Sequence, residues 1–248
     1  MLTEERHGKI LEMVNEKRLV ELSDLCELLN ASESTVRRDL TVLDESGLLT
    51  KVRGGAMSLA DNFSLIEHNV EEKANMFVNE KTAIARYAAS LIEDEDFIFI
   101  DAGTTTEKMI EFIPPKSVKF VTNAFITAKK LAQHGFKVLI TPGEVKASTE
   151  SIVGSEAVIA LEGYNFTKCF IGVNGISVKG GFSTPDKSEA NVKRTAISRG
   201  REVYVLSDHS KFGKISAIKF SELNRASIIT DKLPNKKYLS ETNIKEVL

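Results

Sequence analysis

Apolar positions at the start of the chain recur at the spacing of helix faces and then change period. Ile10, Leu11 and Val14 repeat three or four residues apart behind Thr3, which is placed to cap a helix carrying Arg6 on its solvent face. Val20-Glu21-Leu22 alternates instead, as a short strand does. A second helical pattern (Leu22, Leu25, Cys26, Leu28, Leu29) has Ser23 as the expected cap of residues 24–29 and ends in Asn30-Ala31. A third opens on Ser32, its expected cap, turns Val36 and Leu40 inward and stops at Glu45-Ser46, with Gly47 as the expected left-handed terminator. Leu48 to Gly55 then reads as a hairpin, Gly54-Gly55 giving the backbone freedom for its turn. Helix, tight turn, helix opening on hydroxyls and carrying Arg37 and Arg38, then hairpin: this order predicts a winged helix-turn-helix that reads double-stranded DNA.

The pattern changes again beyond it. Residues 58–79 show no winning period, and Asp61-Asn62 and Glu71-Glu72-Lys73 look solvated; a linker with a short helical piece is expected there. Afterwards strands and helices alternate. Strands are expected over residues 97–100, 118–121, 137–140, 168–173, 202–206 and 227–230. Helices are expected around residues 83–92, 105–112, 125–131 and 189–198. Such alternation specifies an α/β layer fold with a mostly parallel sheet. The expected organisation is a DNA-binding head over residues 1–57, a linker over 58–79 and a sensor over 80–248.

Composition adds bounds. The chain has 248 residues, 42% hydrophobic and 27% charged, enough for a small domain and a medium one with real cores. A formal net charge of −2 provides no global pull toward nucleic acid, so DNA binding has to come from a local patch on an oligomer. The start is charged at once, without an apolar signal core, and no apolar run approaches membrane-spanning length. Cys26 and Cys169 lie far apart without ligand spacing and read as buried reduced thiols. A cytoplasmic protein with neither metal nor cofactor is expected.

The third helix carries the chemistry of the head. A major groove about 12 Å wide admits one helix, read by side chains near its N-terminal half. Ser34, Thr35, Arg37 and Arg38 occupy that half, and a rotation of about 100° per residue lets Ser34, Arg37 and Arg38 share a face. Arginine forks match guanine edges or phosphates, while Lys51 and Arg53 on the hairpin suit phosphates. The plainer alternative is an amphipathic helix pair with solvated arginines, since Glu33, Asp39, Asp44 and Glu45 offset these four bases. The full order of elements favours DNA.

A second candidate site follows the strand at 97–100, where Asp101-Ala102-Gly103-Thr104-Thr105-Thr106 opens a helix. Unpaired N–H groups and three hydroxyls suit a phosphate, although a plain strand-to-helix turn fits the same six residues. Thr122-Asn123, Pro142-Gly143-Glu144-Val145-Lys146, Gly172-Val173-Asn174-Gly175 and Asp208-His209-Ser210-Lys211-Phe212-Gly213 follow later strands. Loops at the carboxyl ends of parallel strands share one ligand-binding edge. Lys146 and Lys211 are the candidate phosphate cations. Glu189 and Lys193 read as an ordinary surface ion pair. His209 reads as a hydrogen-bonding organiser of its loop, because no nucleophile accompanies it.

Taken in order, these motifs resemble the DeoR-type bacterial transcription regulators. The resemblance spans Glu5 to Met57, centred on Ser34-Thr35-Val36-Arg37-Arg38-Asp39-Leu40, and runs again from about Glu80 to Asp231, carrying the loops above and Ile152-Val153-Gly154. It implies a winged-helix reader joined to a sensor that is similar to ribose-5-phosphate isomerase and binds a phosphorylated sugar, in a homo-oligomer (dimer or tetramer). The implied effector residues are Asp101, Gly103, Thr104, Thr105, Thr106, Thr122, Asn123, Gly143, Lys146, Gly172, Asn174, Gly175, Asp186, Glu189 and Lys211.

Within the family, Phe182-Ser183-Thr184-Pro185-Asp186 with Glu189 and Lys193-Arg194 is most similar to fructose-operon repressors. That implies repression relieved by fructose 1-phosphate. One departure stands out: such relatives often carry arginine after the lysine of the Gly143 loop, where this chain reads Lys146-Ala147-Ser148-Thr149. Two alternatives remain, a regulator of another sugar-phosphate pathway and an isomerase-like enzyme. The enzyme is disfavoured because the isomerase's acidic proton-transfer loop corresponds here to Gly172-Val173-Asn174-Gly175, which has no carboxylate to act as base.

Overall fold

In the computed structural model, which describes residues 2–46, 48–58, 63–64 and 69–248 (backbone alone at 63–64), the first apolar stripes converge on one small core. Ile10 and Val14 of α1 (Thr3–Lys17), Leu25 and Leu29 of α2 (Leu22–Leu29) and Val36, Leu40 and Leu43 of α3 (Glu33–Glu45) are all buried there. Val20 of β1 (Leu19–Glu21) and Ala56 of β3 (Gly55–Met57) close it, with β2 (Thr50–Val52) pairing on the far side of β3. A two-residue strand, β4 (Phe63–Ser64), follows. Contacts divide the chain into two compact units, Met1–Ser64 with Asn235–Lys237 and Leu65–Pro234 with Tyr238–Leu248.

Backbone partners, more than side-chain caps, set the helix ends of the head. Thr3 lies inside the first turn of α1 and Leu2 occupies the cap, its carbonyl accepting from the Arg6 N–H (3.0 Å). Ser23 does not cap α2 either. The helix starts one residue earlier, at Leu22, whose N–H donates to the Gly54 carbonyl at 2.7 Å and so needs no serine. Asn30 ends α2 in the left-handed region (φ 46°), which asparagine tolerates, and the Ala31 N–H closes the turn on the Cys26 carbonyl (3.2 Å). Ser32 does cap α3, accepting from the Thr35 N–H (3.3 Å). Gly47 and Asp61-Asn62 lie outside the described residues. Gly54 turns the wing at φ 89°, and a Cβ at Gly55 would lie 2.0 Å from the Val20 carbonyl oxygen, so the β1–β3 pairing admits no side chain there.

The second unit opens with α4 (Val70–Asn75) and α5 (Val78–Ser90). Then come β5 (Phe97–Ile100), α6 (Thr104–Lys108, running on as a 3₁₀ turn to Phe112), β6 (Lys119–Thr122), α7 (Phe125–Gln133) and β7 (Lys137–Ile140). A hairpin, β8 (Glu144–Lys146) and β9 (Ser151–Val153), leads into α8 (Ser155–Glu162) and β10 (Phe166–Gly172). The chain continues through β11 (Gly175–Ser177), β12 (Gly181–Thr184), α9 (Lys187–Arg199) and β13 (Gly200–Leu206). It ends with β14 (Ile215–Ser216), β15 (Ile218–Ser221), β16 (Ser227–Thr230) and β17 (Ile244–Glu246).

Seven strands form one parallel sheet in the order β17-β16-β13-β10-β5-β6-β7. Its inner strands are largely apolar on both faces because helices cover both, while the edge strands β7 and β17 are largely exposed. Ile98, Ile100, Phe120 and Phe170 pack with Ile84 and Ala88 of α5, while Phe99, Val121, Cys169 and Ile171 pack with α8 and α9. The expected mostly parallel layer is therefore joined by two antiparallel pieces that the apolar pattern does not announce, the β8–β9 hairpin and the sheet β11-β12-β15. Their strands are three or four residues long and rich in Gly, Ser and Lys, too short to display a period. Strand order reverses between β5 and β10, so the loops after these two strands diverge and leave a crevice at their carboxyl ends.

Candidate functional site

Two charged surfaces come out of this architecture, one on each unit. On the head, α3 presents Ser34, Arg37 and Arg38 to solvent together, and Lys51 and Arg53 of the wing are also exposed. Thr35 is half-buried, its hydroxyl 3.0 Å from Ser32 Oγ in the cap. Arg37 pairs with Glu33 at 3.1 Å on the exposed face, and Lys51 donates to Thr41 Oγ1 at 2.6 Å, which lays the wing against the recognition helix. Arg6, expected on the solvent face, turns inward instead. Its guanidinium grips buried Asp39 through two bonds (2.5 and 2.8 Å), and His7 Nε2 lies 3.1 Å from the same carboxylate. The Arg6 hydrogen bonds hold Asp39 below the usual carboxylate range, against the upward push of burial. Asp39 and Glu33 are thus matched within the head, leaving Arg38 and Arg53 clear of these two acids.

On the second unit, the crevice between β5 and β10 holds a cavity of about 80 Å³. Gly103, Thr104, Thr105 and Thr106 line it from the start of α6, Gly172 and Asn174 from the loop after β10, Lys211 from the loop after β13, and Glu189 from α9. The other expected effector residues stand behind this lining. Asn123 accepts from the Ala102 N–H (3.0 Å) and donates to the Ile152 carbonyl (3.3 Å), tying the β5 loop to β9. Thr122 accepts from the Ala124 N–H (3.1 Å). Gly143 and Gly175 allow close backbone packing, where a Cβ would meet the Val153 and Lys214 carbonyl oxygens at 2.4 and 2.6 Å. Asp186 caps α9, accepting from the Glu189 N–H (2.8 Å). Lys146, expected as a phosphate cation, does not line the cavity, because it sits between Asp186 (3.3 Å) and Glu189 (3.1 Å).

Glu189 and Lys193 are not a surface pair. Both are buried, and they point to different partners. Lys193 Nζ binds Asp101 and donates to the Gly172 carbonyl (3.3 Å), while Asp101 also accepts from the Gly172 N–H (2.9 Å). Burial pushes Asp101 up and the Lys193 charge opposes it. Glu189 takes Lys146, Thr149 and Thr184 instead. Their i, i+4 spacing suggested a pair that the packing separates.

Lys81, like Lys193, is a cavity-lining cation that pattern reading missed. It lines the cavity from α5, only 5% exposed, and donates to the Lys73 carbonyl in the last turn of α4. Burial pushes its ammonium down to about 8, with Asp208 opposing and Lys211, Lys73 and Lys108 adding to the depression. The signal was present, because residue 81 belongs to the stripe 81, 84, 85, 88 that is otherwise apolar. Phe77 starts α5 from a left-handed backbone (φ 54°) and meets the His209 ring edge-on (5.2 Å), while His209 Nδ1 lies 2.6 Å from Asp231. His209 therefore organises the loop and helix that present Lys81 and Lys211.

A winged helix-turn-helix head joined to a parallel-sheet unit with a cation-lined crevice defines a ligand-sensing DNA-binding regulator. Residues 6–62 match the DeoR-like helix-turn-helix domain and residues 76–232 the DeoR C terminal sensor domain. The chain belongs to the DeoR family of transcriptional regulators and is not an enzyme. It is 40% identical to the uncharacterized HTH-type transcriptional regulator FruR of Bacillus subtilis (strain 168), over 100% of this chain and 99% of that protein. It is 38% identical to the lactose phosphotransferase system repressor of Staphylococcus aureus (strain N315), over 91% of this chain and 90% of that one. Among solved structures, ribose 5 phosphate isomerase A from Neisseria gonorrhoeae is similar at 15% identity and a TM-score of 0.41, covering 53% of this chain and 52% of that one. Among the described residues no group of three or more His, Cys, Asp or Glu is placed to hold a metal ion, and no helix is long and apolar enough to cross a membrane.

Proposed function

We propose that this regulator represses a sugar-utilisation operon, specifically one for fructose, in the bacterial cytoplasm, and releases its operator when fructose 1-phosphate enters the sensor cavity. The observation that carries the reading is the buried Lys81 ammonium beside Lys211, facing the opening turn of α6 at the strand switch point. A phosphate there accepts from both ammonium groups and from first-turn N–H groups that have no intrahelical partner. Full-length similarity to FruR supports fructose. A second reading, an effector from another sugar-phosphate pathway, is favoured by the segment Lys146-Ala147-Ser148-Thr149, since Thr149 lines the cavity and sits where the sugar would lie.

In this reading Ser34, Arg37 and Arg38 contact base edges, Thr35 supports them from the cap, and Lys51 and Arg53 contact phosphates. Heads over residues 1–57 of a dimer or tetramer meet half-sites about 34 Å apart. The sensor, residues 80–248, acts on them through residues 58–79. An anion in the cavity competes with the Lys73 carbonyl for Lys81 and loosens the end of α4, which lies within that linker. A coupling of about 1–3 kcal/mol changes operator affinity roughly 5- to 150-fold, provided the ligand binds the two states unequally.

The test is fluorescence anisotropy on DNA from upstream of the protein's own operon, titrated with fructose 1-phosphate, other sugar phosphates and free fructose. Selective binding reversed by fructose 1-phosphate alone is the expected result. Reversal by a different sugar phosphate moves the assignment to the second reading, and binding that no sugar phosphate reverses overturns the effector assignment.

A further inference from the structure

Lys81 and Glu189 line the cavity from different elements and bond to different partners: Lys81 on α5 donates to the Lys73 carbonyl, and Glu189 on α9 is held by Thr149, Lys146, Ser151 and Thr184. Around Lys81 the charged neighbours are Lys211, Lys73, Lys108 and Asp208, an excess of cations. Around Glu189 they are Lys193, Lys146, Asp101 and Asp186, and both lysines are already engaged, Lys193 by Asp101 and Lys146 by Asp186 and Glu189 itself. Glu189 is 7% exposed, and hydroxyl and ammonium donors fix its carboxylate. Oε1 accepts from Thr149 Oγ1 (2.6 Å), Lys146 Nζ (3.1 Å) and Ser151 Oγ (3.4 Å), and Oε2 from Thr184 Oγ1 (3.3 Å). Burial pushes this acid up, but Lys193, Thr149 and Lys146 outweigh it and keep Glu189 below its ordinary value. Glu189 therefore offers the cavity an ionised carboxylate whose Oε2 accepts one hydrogen bond, from Thr184, and has acceptor capacity left.

An ionised carboxylate accepts hydrogen bonds and donates none, and so does a phosphate dianion. Sugar hydroxyls can meet Oε2, whereas a second phosphate placed there faces a like charge with no proton to share. We infer that the cavity selects ligands with a single phosphate and a neutral, hydroxyl-bearing remainder, and that Glu189 is the specificity-determining residue that turns away bisphosphates. The inference rests on the sugar-phosphate reading of the cavity and adds a rule about ligand class to it.

Calorimetric titration of the full-length protein at pH 7.5 tests it with matched pairs that differ by one phosphate: fructose 1-phosphate against fructose 1,6-bisphosphate, and glucose 1-phosphate against glucose 1,6-bisphosphate. Like-charge juxtaposition in a desolvated site predicts that the better monophosphate binds at least about 100-fold more tightly than its bisphosphate. Glu189→Gln, which keeps size and acceptor but removes the charge, narrows that ratio at least about tenfold, mainly by improving bisphosphate binding. Bisphosphate bound as tightly as monophosphate by the unaltered protein overturns the inference and leaves the sugar-phosphate reading standing. Discrimination that Glu189→Gln leaves unchanged overturns the role of Glu189, and size becomes the cause. Failure of all these phosphates to bind the unaltered protein overturns both. If Glu189→Gln does not fold, the ratio in the unaltered protein still tests the ligand-class rule, and Glu189→Asp tests the residue's role: an unchanged ratio supports charge, and a narrowed ratio makes size the cause and overturns it.

Discussion

In the head, the buried carboxylate of Asp39 holds the fold while Arg37 and Arg38 stand in solvent where DNA would arrive; in the sensor, Lys81, Glu189 and Lys193 are themselves buried and face the cavity. The difference follows from the size of the ligand each surface serves. A DNA duplex is a polyanion that sheds counterions on contact, so exposed cations suffice. A small anion has to be stripped of water to be recognised, and the protein carries that desolvation in advance by burying the charges that meet it. Buried charge thus holds the fold in the head, while in the sensor it does so at Lys168–Asp96 and also lines the cavity.

The sharpest way to break this comparison is Arg37→Ala. With about 1–3 kcal/mol for each bidentate base contact and two heads engaged, operator affinity falls at least about 30-fold in anisotropy, while sugar-phosphate affinity stays unchanged. Unchanged operator affinity would remove Arg37 from the reading face. Lys81→Met does the converse. Effector affinity falls about 10- to 100-fold, the scale of a charged hydrogen bond, and effector-free operator binding is retained. Lys81 also gives a pH signature. Its free-state value of about 8 means the ammonium that a phosphate requires is lost as pH rises through 8. Effector affinity therefore drops up to about tenfold from pH 7 to 9, where the phosphate's own charge is constant, and Lys81→Arg abolishes the drop. The smallest expected effect is on stability. Asp39 is held below its unfolded value, so its contribution is present above the unfolded carboxylate pKa near 4 and is lost as pH falls through the lower folded value. Asp39→Asn should lower the melting temperature of the head by several degrees at pH 7, with the deficit shrinking toward pH 3.

Much of this was legible before any coordinates. The stripes through Ile10, Leu25 and Val36 mark the helices of the head, and Phe97 to Ile100, an unbroken apolar run, marks a strand covered on both faces. The loops that meet at the crevice were legible too, because parallel strands bring their carboxyl ends to one edge. The partners of buried charges were not. Spacing pairs Glu189 with Lys193, yet the real partners, Asp101 and Lys146, are 92 and 43 residues away. Long-range electrostatics leaves no local period, and neither do helix starts such as Leu22, whose N–H is satisfied by Gly54 from the wing.

The two faces of α3 are held by different parts of the molecule. Val36, Leu40 and Leu43 anchor the helix in the core of the head and Asp39 anchors it through Arg6 and His7, while Ser34, Arg37 and Arg38 face solvent. Positions 34, 37 and 38 can therefore drift over evolutionary time without cost to folding, like type set in a fixed frame. On the proposed reading of those positions, a gene duplicate of this protein acquires a new operator by changing a handful of codons while its sensor stays as it was.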